Sequence, residues 1–126
     1  MVLYSGLAEN DDAGDMVNLA EAAMKKGYQV NIFLCGNGVY ISRSKSASRP
    51  DNSISESLVS YLEAYKVGER LKDLARMGAN IASLSLNEHA RGIDALPLQK
   101  GLRNGNIAHT FCDFLLGSDV FLVFGH

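Results

Sequence analysis

Apolar and polar positions divide the chain into two kinds of block. Val2–Ser5, Gln29–Leu34 and Val120–Phe124 are short and largely apolar, the signature of strands buried on both faces. Between the first two, Ala13, Met16, Val17, Ala20, Ala23 and Met24 recur at the i, i+3, i+4, i+7 spacing of one helical face. Asp11, Asp12 and Asp15 at its start and Lys25, Lys26 at its end suit the helix dipole, and Gly27 is a natural stop. Ser53-x-x-Glu56 has the form of a capping box, followed by Ile54, Leu58, Tyr61, Leu62 and Tyr65 on one face. Val67, Leu71, Leu74 and Ala75 continue the helical pattern to Gly78, with Gly68 at the junction.

The second half repeats the alternation. Asn80–Leu86 predicts a third strand, Asn87–Arg91 a single helical turn, and Gly101-Leu102 a short strand in an irregular stretch broken by Pro97. Asn106 is a good N-cap for a last helix that buries Ile107, Phe111, Phe114 and Leu115 and ends near Gly117. Val120–Phe124 then predicts a central buried strand. Ser42–Ser53 is polar and predicts a mobile surface loop. Strands that alternate with helices imply one α/β domain over residues 1–126, a three-layer α/β/α sandwich with a mainly parallel sheet. Ligands in such sheets bind beyond the carboxyl ends of the strands. That places Ser5–Ala13, Cys35–Tyr40, Ser85–Gly92 and Gly125-His126 on one functional edge.

Composition narrows the class. At 126 residues, with 47% hydrophobic and 21% charged residues, the chain is long enough for a core without staples. A formal charge of −2 leaves no basic surplus for nucleic acid. No apolar run is long enough to cross a bilayer, and the opening residues Met1–Gly6 lack the pattern of a signal peptide. With two cysteines only, Cys35 and Cys112, a cytoplasmic protein with free thiols is expected.

Candidate chemistry is sparse. Gly36-Asn37-Gly38 is a turn that completes neither a dinucleotide fingerprint nor a phosphate loop. His89, His109 and His126 are far apart, so no metal or cofactor site is predicted. Cys35 closes the second strand at the functional edge, as a nucleophilic thiol or as a small buried apolar residue. Asn87-Glu88-His89-Ala90-Arg91-Gly92 is the most polar cluster after a strand. It is an anion-binding turn helped by His89 or Arg91, or a solvated turn whose arginine pairs a carboxylate.

Taken in order, several segments resemble the DsrE/DsrF-like family of small sulfur-relay proteins across nearly the whole chain. They are Ser5-Gly6 after the first strand, the Ala/Met-rich helix to Gly27, and Val30–Leu34 followed by Gly36-Asn37-Gly38-Val39-Tyr40. Leu71-x-x-Leu74-x-x-x-Gly78, Ala90-Arg91-Gly92-Ile93 and Gly117-Ser118-Asp119-Val120 complete the series. The resemblance implies a flavodoxin-like parallel sheet, and homo- or hetero-oligomers, often trimers or hexamers, with sulfur-relay partners. It also implies a persulfide cysteine just after the third strand, ahead of the Arg-Gly pair. Here the matching positions, near Leu84 and Asn87, hold no thiol. Either Cys35 has taken over, or the chain is a cysteine-less relative that binds a small anion or a partner. The residues expected at such a site are Ser5, Gly6, Gly36, Asn37, Gly38, Ser85, Asn87, His89 and Arg91, with Cys35 as the one catalytic candidate. A nucleotide-binding module at Asn87–Gly92 is the weaker alternative.

Overall fold

The computed structural model describes residues 1–6, 11–43 and 66–125. Strand β1 (Val2–Leu3) leads to helix α1 (Asp12–Lys25), then β2 (Asn31–Leu34) and a 3-10 segment, Gly36–Ser42. Helix α2 (66–76), β3 (Asn80–Leu84) and the short helix α3 (Ser85–Ala90) follow. After β4 (Arg103–Gly105), a π-helical turn, Ile107–Phe111, runs into α4 (Cys112–Leu116), and β5 (Val123–Phe124) comes last. The strands form one all-parallel sheet in the order β4-β3-β2-β1-β5.

Alternation along each strand sends neighbouring side chains to opposite faces, and both faces are covered. On one face Leu3, Ile32, Leu34 and Ile81 meet Ala13, Met16, Val17 and Ala20 of α1 and Val67, Leu71 and Leu74 of α2. On the other, Val2, Phe33, Ala82 and Leu84 meet Val39 and Ile93, with Phe111 and Phe114 packed alongside. Phe33 anchors this second layer, its ring centroid 5.3 Å from Phe111 and 6.5 Å from Phe114. The three-layer α/β/α sandwich is therefore the one the strand–helix alternation predicts. The chain winds from β1 to β4 in one direction and then returns to the open side of β1. The reversal thus falls between β1 and β5, not between the first and third strands as in a flavodoxin.

Several local expectations are corrected. Val120–Phe124 is not a central strand. Only Val123 and Phe124 pair, at the sheet's outer edge, and Val120, Phe121, Leu122 and Val123 are exposed. A continuous apolar run reports burial or contact but not which strand will have two neighbours, and the return crossover leaves this one a single side. Ser85 and Leu86 open α3 instead of extending β3. The last extended segment before α4 is Arg103–Gly105, while Gly101 lies in the turn before it. Asn106 does cap the following helix, its Oδ1 accepting the His109 N–H at 2.7 Å. The first turn there is π-type, however, which shifts the helical face, so Ile107 and Leu115 are exposed while Phe111 and Phe114 pack inward. Within Ser42–Ser53, Ser42 and Arg43 are buried; the remainder, like the capping box and Tyr61 and Tyr65, lies outside the described residues.

Ser42 and Arg43 are buried because they meet a buried carboxylate. Glu88 of α3 is 1% exposed. Its Oε2 takes an ion pair from Arg43 and a hydrogen bond from Asn104 Nδ2 at 2.5 Å, and its Oε1 lies 2.9 Å from Ser42 Oγ. Arg43 also donates to the Leu96 carbonyl at 2.6 Å. Residues 41–43 are held from the far side as well. Gln99 donates through its side chain to Ile41 O at 2.6 Å and through its backbone to Ser42 O at 2.8 Å. One carboxylate thus joins α3, β4 and the end of the 3-10 segment.

Two predictions follow from this packing. Glu88→Gln leaves the Arg43 charge buried without its counter-ion, and Arg43→Met does the converse. Each is expected to cost about 3–5 kcal/mol, measurable by urea denaturation, whereas replacing both by apolar residues recovers much of the loss. Gly38→Ala is expected to destabilise the chain as well. A Cβ there would sit 2.5 Å from the Leu3 carbonyl oxygen, so the 3-10 segment would have to leave β1, and the loss would appear as a lowered thermal midpoint.

Candidate functional site

The parallel sheet puts the ends of all five strands on one edge. Tyr4 and Ser5 follow β1, Cys35 and Gly36 follow β2, Ser85 follows β3, Asn106 follows β4 and Gly125 follows β5. The edge is closely built at β1 and β2. The Cys35 N–H donates to Leu3 O at 2.9 Å, and the Gly38 N–H lies 3.2 Å from Tyr4 O. Gly36 turns the chain at φ +55°, a left-handed conformation that a side chain would strain.

Cys35 sits inside this corner, 5% exposed, with Sγ 3.6 Å from the Leu3 carbonyl. Burial pushes its thiol up to about 11, against a hydrogen bond from Tyr4 and the positive charge of Arg91, which both favour the thiolate. Burial therefore outweighs both stabilising groups. With the thiol near 11, about one molecule in ten thousand carries the thiolate at pH 7. Tyr4 answers the same coupling: the nearby Cys35 raises its hydroxyl above the ordinary value.

Two residues of the Asn87–Gly92 segment reach this corner. Asn87 Oδ1 accepts the Gly36 N–H at 2.6 Å, and Arg91 Nε donates to Asn37 Oδ1 at 2.9 Å. Arg91 Nη1 makes a long contact, 3.5 Å, with the Asn87 carbonyl. Among the described residues Arg91 Nη2 has no hydrogen-bond partner, and the residue is partly buried. Among the described residues the corner is thus a hydrogen-bonded turn with the Arg91 cation at its rim.

The other predicted site residues go elsewhere. His89 points outward, its side chain 80% exposed, and pairs through Nδ1 with Asp94 at 2.8 Å. That contact holds the Asp94 carboxyl below its usual range. Ser85 is exposed and shares no hydrogen bond with His89 among the described residues. Ser5 is buried at the β1–β5 reversal, its Oγ 3.3 Å from Asp12 Oδ2 at the start of α1. Gly6 continues that stretch, and Gly125 lies against Ser5: a Cβ on it would come within 2.7 Å of Ser5 Oγ. His126 lies outside the described residues. Among the described residues no group of three or more His, Cys, Asp or Glu side chains is placed to hold a metal ion.

Sequence reasoning missed Tyr4, which touches both Gly36 and Cys35, and missed Glu88 and Arg43. It also placed no cation near Cys35, because Arg91 is 56 residues away and only the β2–β3 pairing brings it close. One signal was available for Glu88. The solvated reading of the Asn87–Gly92 turn already had its arginine pair a carboxylate; in the structure it is the carboxylate of this turn, Glu88, that pairs an arginine, Arg43.

No family model and no curated protein sequence matches the chain. Among the described residues no helix is long and apolar enough to cross a membrane. The fold does have a counterpart. The chain superposes on the ychN protein from E. coli with a TM-score of 0.76, over 98% of this chain and 96% of that one, at 17% sequence identity. At that identity the likeness is one of fold: a five-stranded parallel α/β sandwich shared over essentially the full length of both chains.

Proposed function

We propose that this chain is a DsrE/DsrF-like protein of intracellular sulfur metabolism that binds a small anion or a partner loop and does not itself carry sulfur. The shared fold and the order of the resembling segments support the family placement. The observation that carries the functional reading is the state of its thiols. The position after β3 holds Ser85, Leu86 and Asn87 where a persulfide cysteine would stand, and Cys35, the nearest thiol, is buried and protonated. A persulfide forms when a thiolate attacks an exposed sulfane sulfur, and Cys35 offers neither exposure nor charge. Serine cannot replace it, because its hydroxyl needs an adjacent base and His89 faces away.

What remains at the edge is recognition. Arg91 presents Nη2 at the rim of a corner whose other polar groups bond one another, which suits a charge-assisted contact to one oxyanion or carboxylate. Nucleotide binding is less well supported. At Asn87–Gly92, the segment that would hold a phosphate, the Asn87 and Arg91 side chains already bond Gly36 and Asn37.

Sulfur carriage by Cys35 is the second reading, favoured by the two groups that stabilise its thiolate. Intact-mass analysis after treatment with a persulfide donor separates the readings. No gain of one sulfur is expected on the native chain, whereas a gain abolished by Cys35→Ser would establish the carrier. Thiol labelling adds a second test. Cys112, only partly buried, should react first, and Cys35 should react appreciably only as the pH climbs toward 11. Arg91→Ala removes a charge that favours the thiolate, so it should move the Cys35 labelling midpoint to still higher pH. In a titration with thiosulfate followed by amide chemical shifts at Gly36 and Asn37, the same variant should bind roughly tenfold more weakly or worse.

A further inference from the structure

Helices α1 and α2 pack on one face of the sheet and leave a half-open cleft of about 130 Å³ between them. Crossover helices run back against parallel strands, so the last turns of both lie toward the edge opposite Cys35. Val17 and Glu21 line the cleft from α1, one turn apart, and Arg70, Asp73, Leu74 and Met77 line it from α2 and the turn after it. Val17 and Leu74 are buried and give it an apolar floor, and Met77 is exposed beside them. Charges of both signs line it as well. Arg70 Nη2 meets Glu21 Oε2 at 2.9 Å across the two helices, and Lys25 takes Glu21 Oε1 at 3.1 Å, so both oxygens of Glu21 are engaged. Asp73 uses only Oδ1, on Arg76 at 3.0 Å. Among the described residues Asp73 Oδ2, Arg70 Nε and Arg70 Nη1 have no hydrogen-bond partner. Asp73 also stands in the last turn of α2, where the helix dipole disfavours a carboxylate and favours a cation.

We propose that this cleft binds a free aliphatic α-amino acid, with the ligand's carboxylate on Arg70, its ammonium on Asp73 and its side chain over Val17, Leu74 and Met77. Size sets the first limit. An apolar cavity of about 150 Å³ takes one benzene. A cleft of about 130 Å³ therefore takes a branched side chain of the valine or leucine class and leaves the charged groups at its open mouth. Charge sets the second limit. A carboxylate alone would meet Glu21 and Asp73 with no charge of its own to offset them, and an amine alone would leave the open N–H groups of Arg70 without an oxyanion. A zwitterion answers both. The guanidinium fork suits a carboxylate, and an ammonium at the last turn of α2 is favoured by Asp73 and by the helix dipole together. The cleft shares no residue with the Cys35–Arg91 corner, so this site stands independently of the reading given for that edge.

Valine titrated into the isotope-labelled full chain, followed by NMR at the Val17, Leu74 and Met77 methyl groups, is the test. Saturable shifts are expected there, with a dissociation constant on the order of 1 mM for so small a ligand. Isobutylamine and isovalerate keep the branched chain but carry one charge each, and both should bind about tenfold more weakly or worse. Asp73→Asn and Arg70→Gln should each weaken valine to the same extent. Leu116→Ala, at an exposed position of α4 on the other side of the sheet, should leave the affinity unchanged. Shifts that do not saturate, isobutylamine or isovalerate bound as tightly as valine, or native affinity in both charge variants would each overturn the proposal. Should a variant misfold by circular dichroism, the three-ligand series on the native chain decides.

Discussion

The Glu88 carboxylate holds the functional edge in place. Three side chains from two parts of the chain converge on it: Arg43 and Ser42 from the end of the 3-10 segment, and Asn104 from β4. A charge with so little access to water is tolerable only when its lone pairs are filled, and breaking one contact strands the rest. Since Glu88 lies between Asn87 and His89 on a helix of six residues, fixing its direction fixes theirs. Asn87 is turned to the Gly36 N–H, Arg91 one turn on reaches Asn37, and His89 is left to solvent. The buried ion pair and the rim of the site are therefore one mechanical unit.

That unit explains the chemistry of Cys35. The same contacts that bring Arg91 toward the thiol also close the Gly36–Gly38 turn over it, and closeness to Leu3 removes water. Two groups pull toward the thiolate and desolvation pushes harder the other way. Burial thus keeps the thiol protonated even with a guanidinium at the rim of the same corner.

Packing on the two faces of the sheet also sets its two edges apart. Phe33 and its aromatic neighbours draw α4 down over one face, and Arg103 closes the β4 side by lying on Phe114. Leu115 and Leu116, on the other side of α4, are left exposed.

Much of the fold could be read from the chain alone. The helical spacing of Ala13 to Met24, the apolar runs at Val2 and Ile32, and the Asn106 cap depend on neighbours in sequence, where local propensity and periodicity act. The alternation of strand and helix was enough for a parallel three-layer sheet. The choice of positions at the carboxyl edge was partly legible, since Cys35, Asn87 and Arg91 do meet there. Their roles were not. Whether Cys35 is reactive depends on burial by Leu3 and on the charge of a residue in another element, and whether Val120–Phe124 is central or marginal depends on where the last crossover returns. Ser42 and Arg43 look like solvated loop until Glu88 is opposite them. Desolvation, ion pairing and strand order are all set by residues far apart in sequence, so they exist only once the tertiary structure has formed.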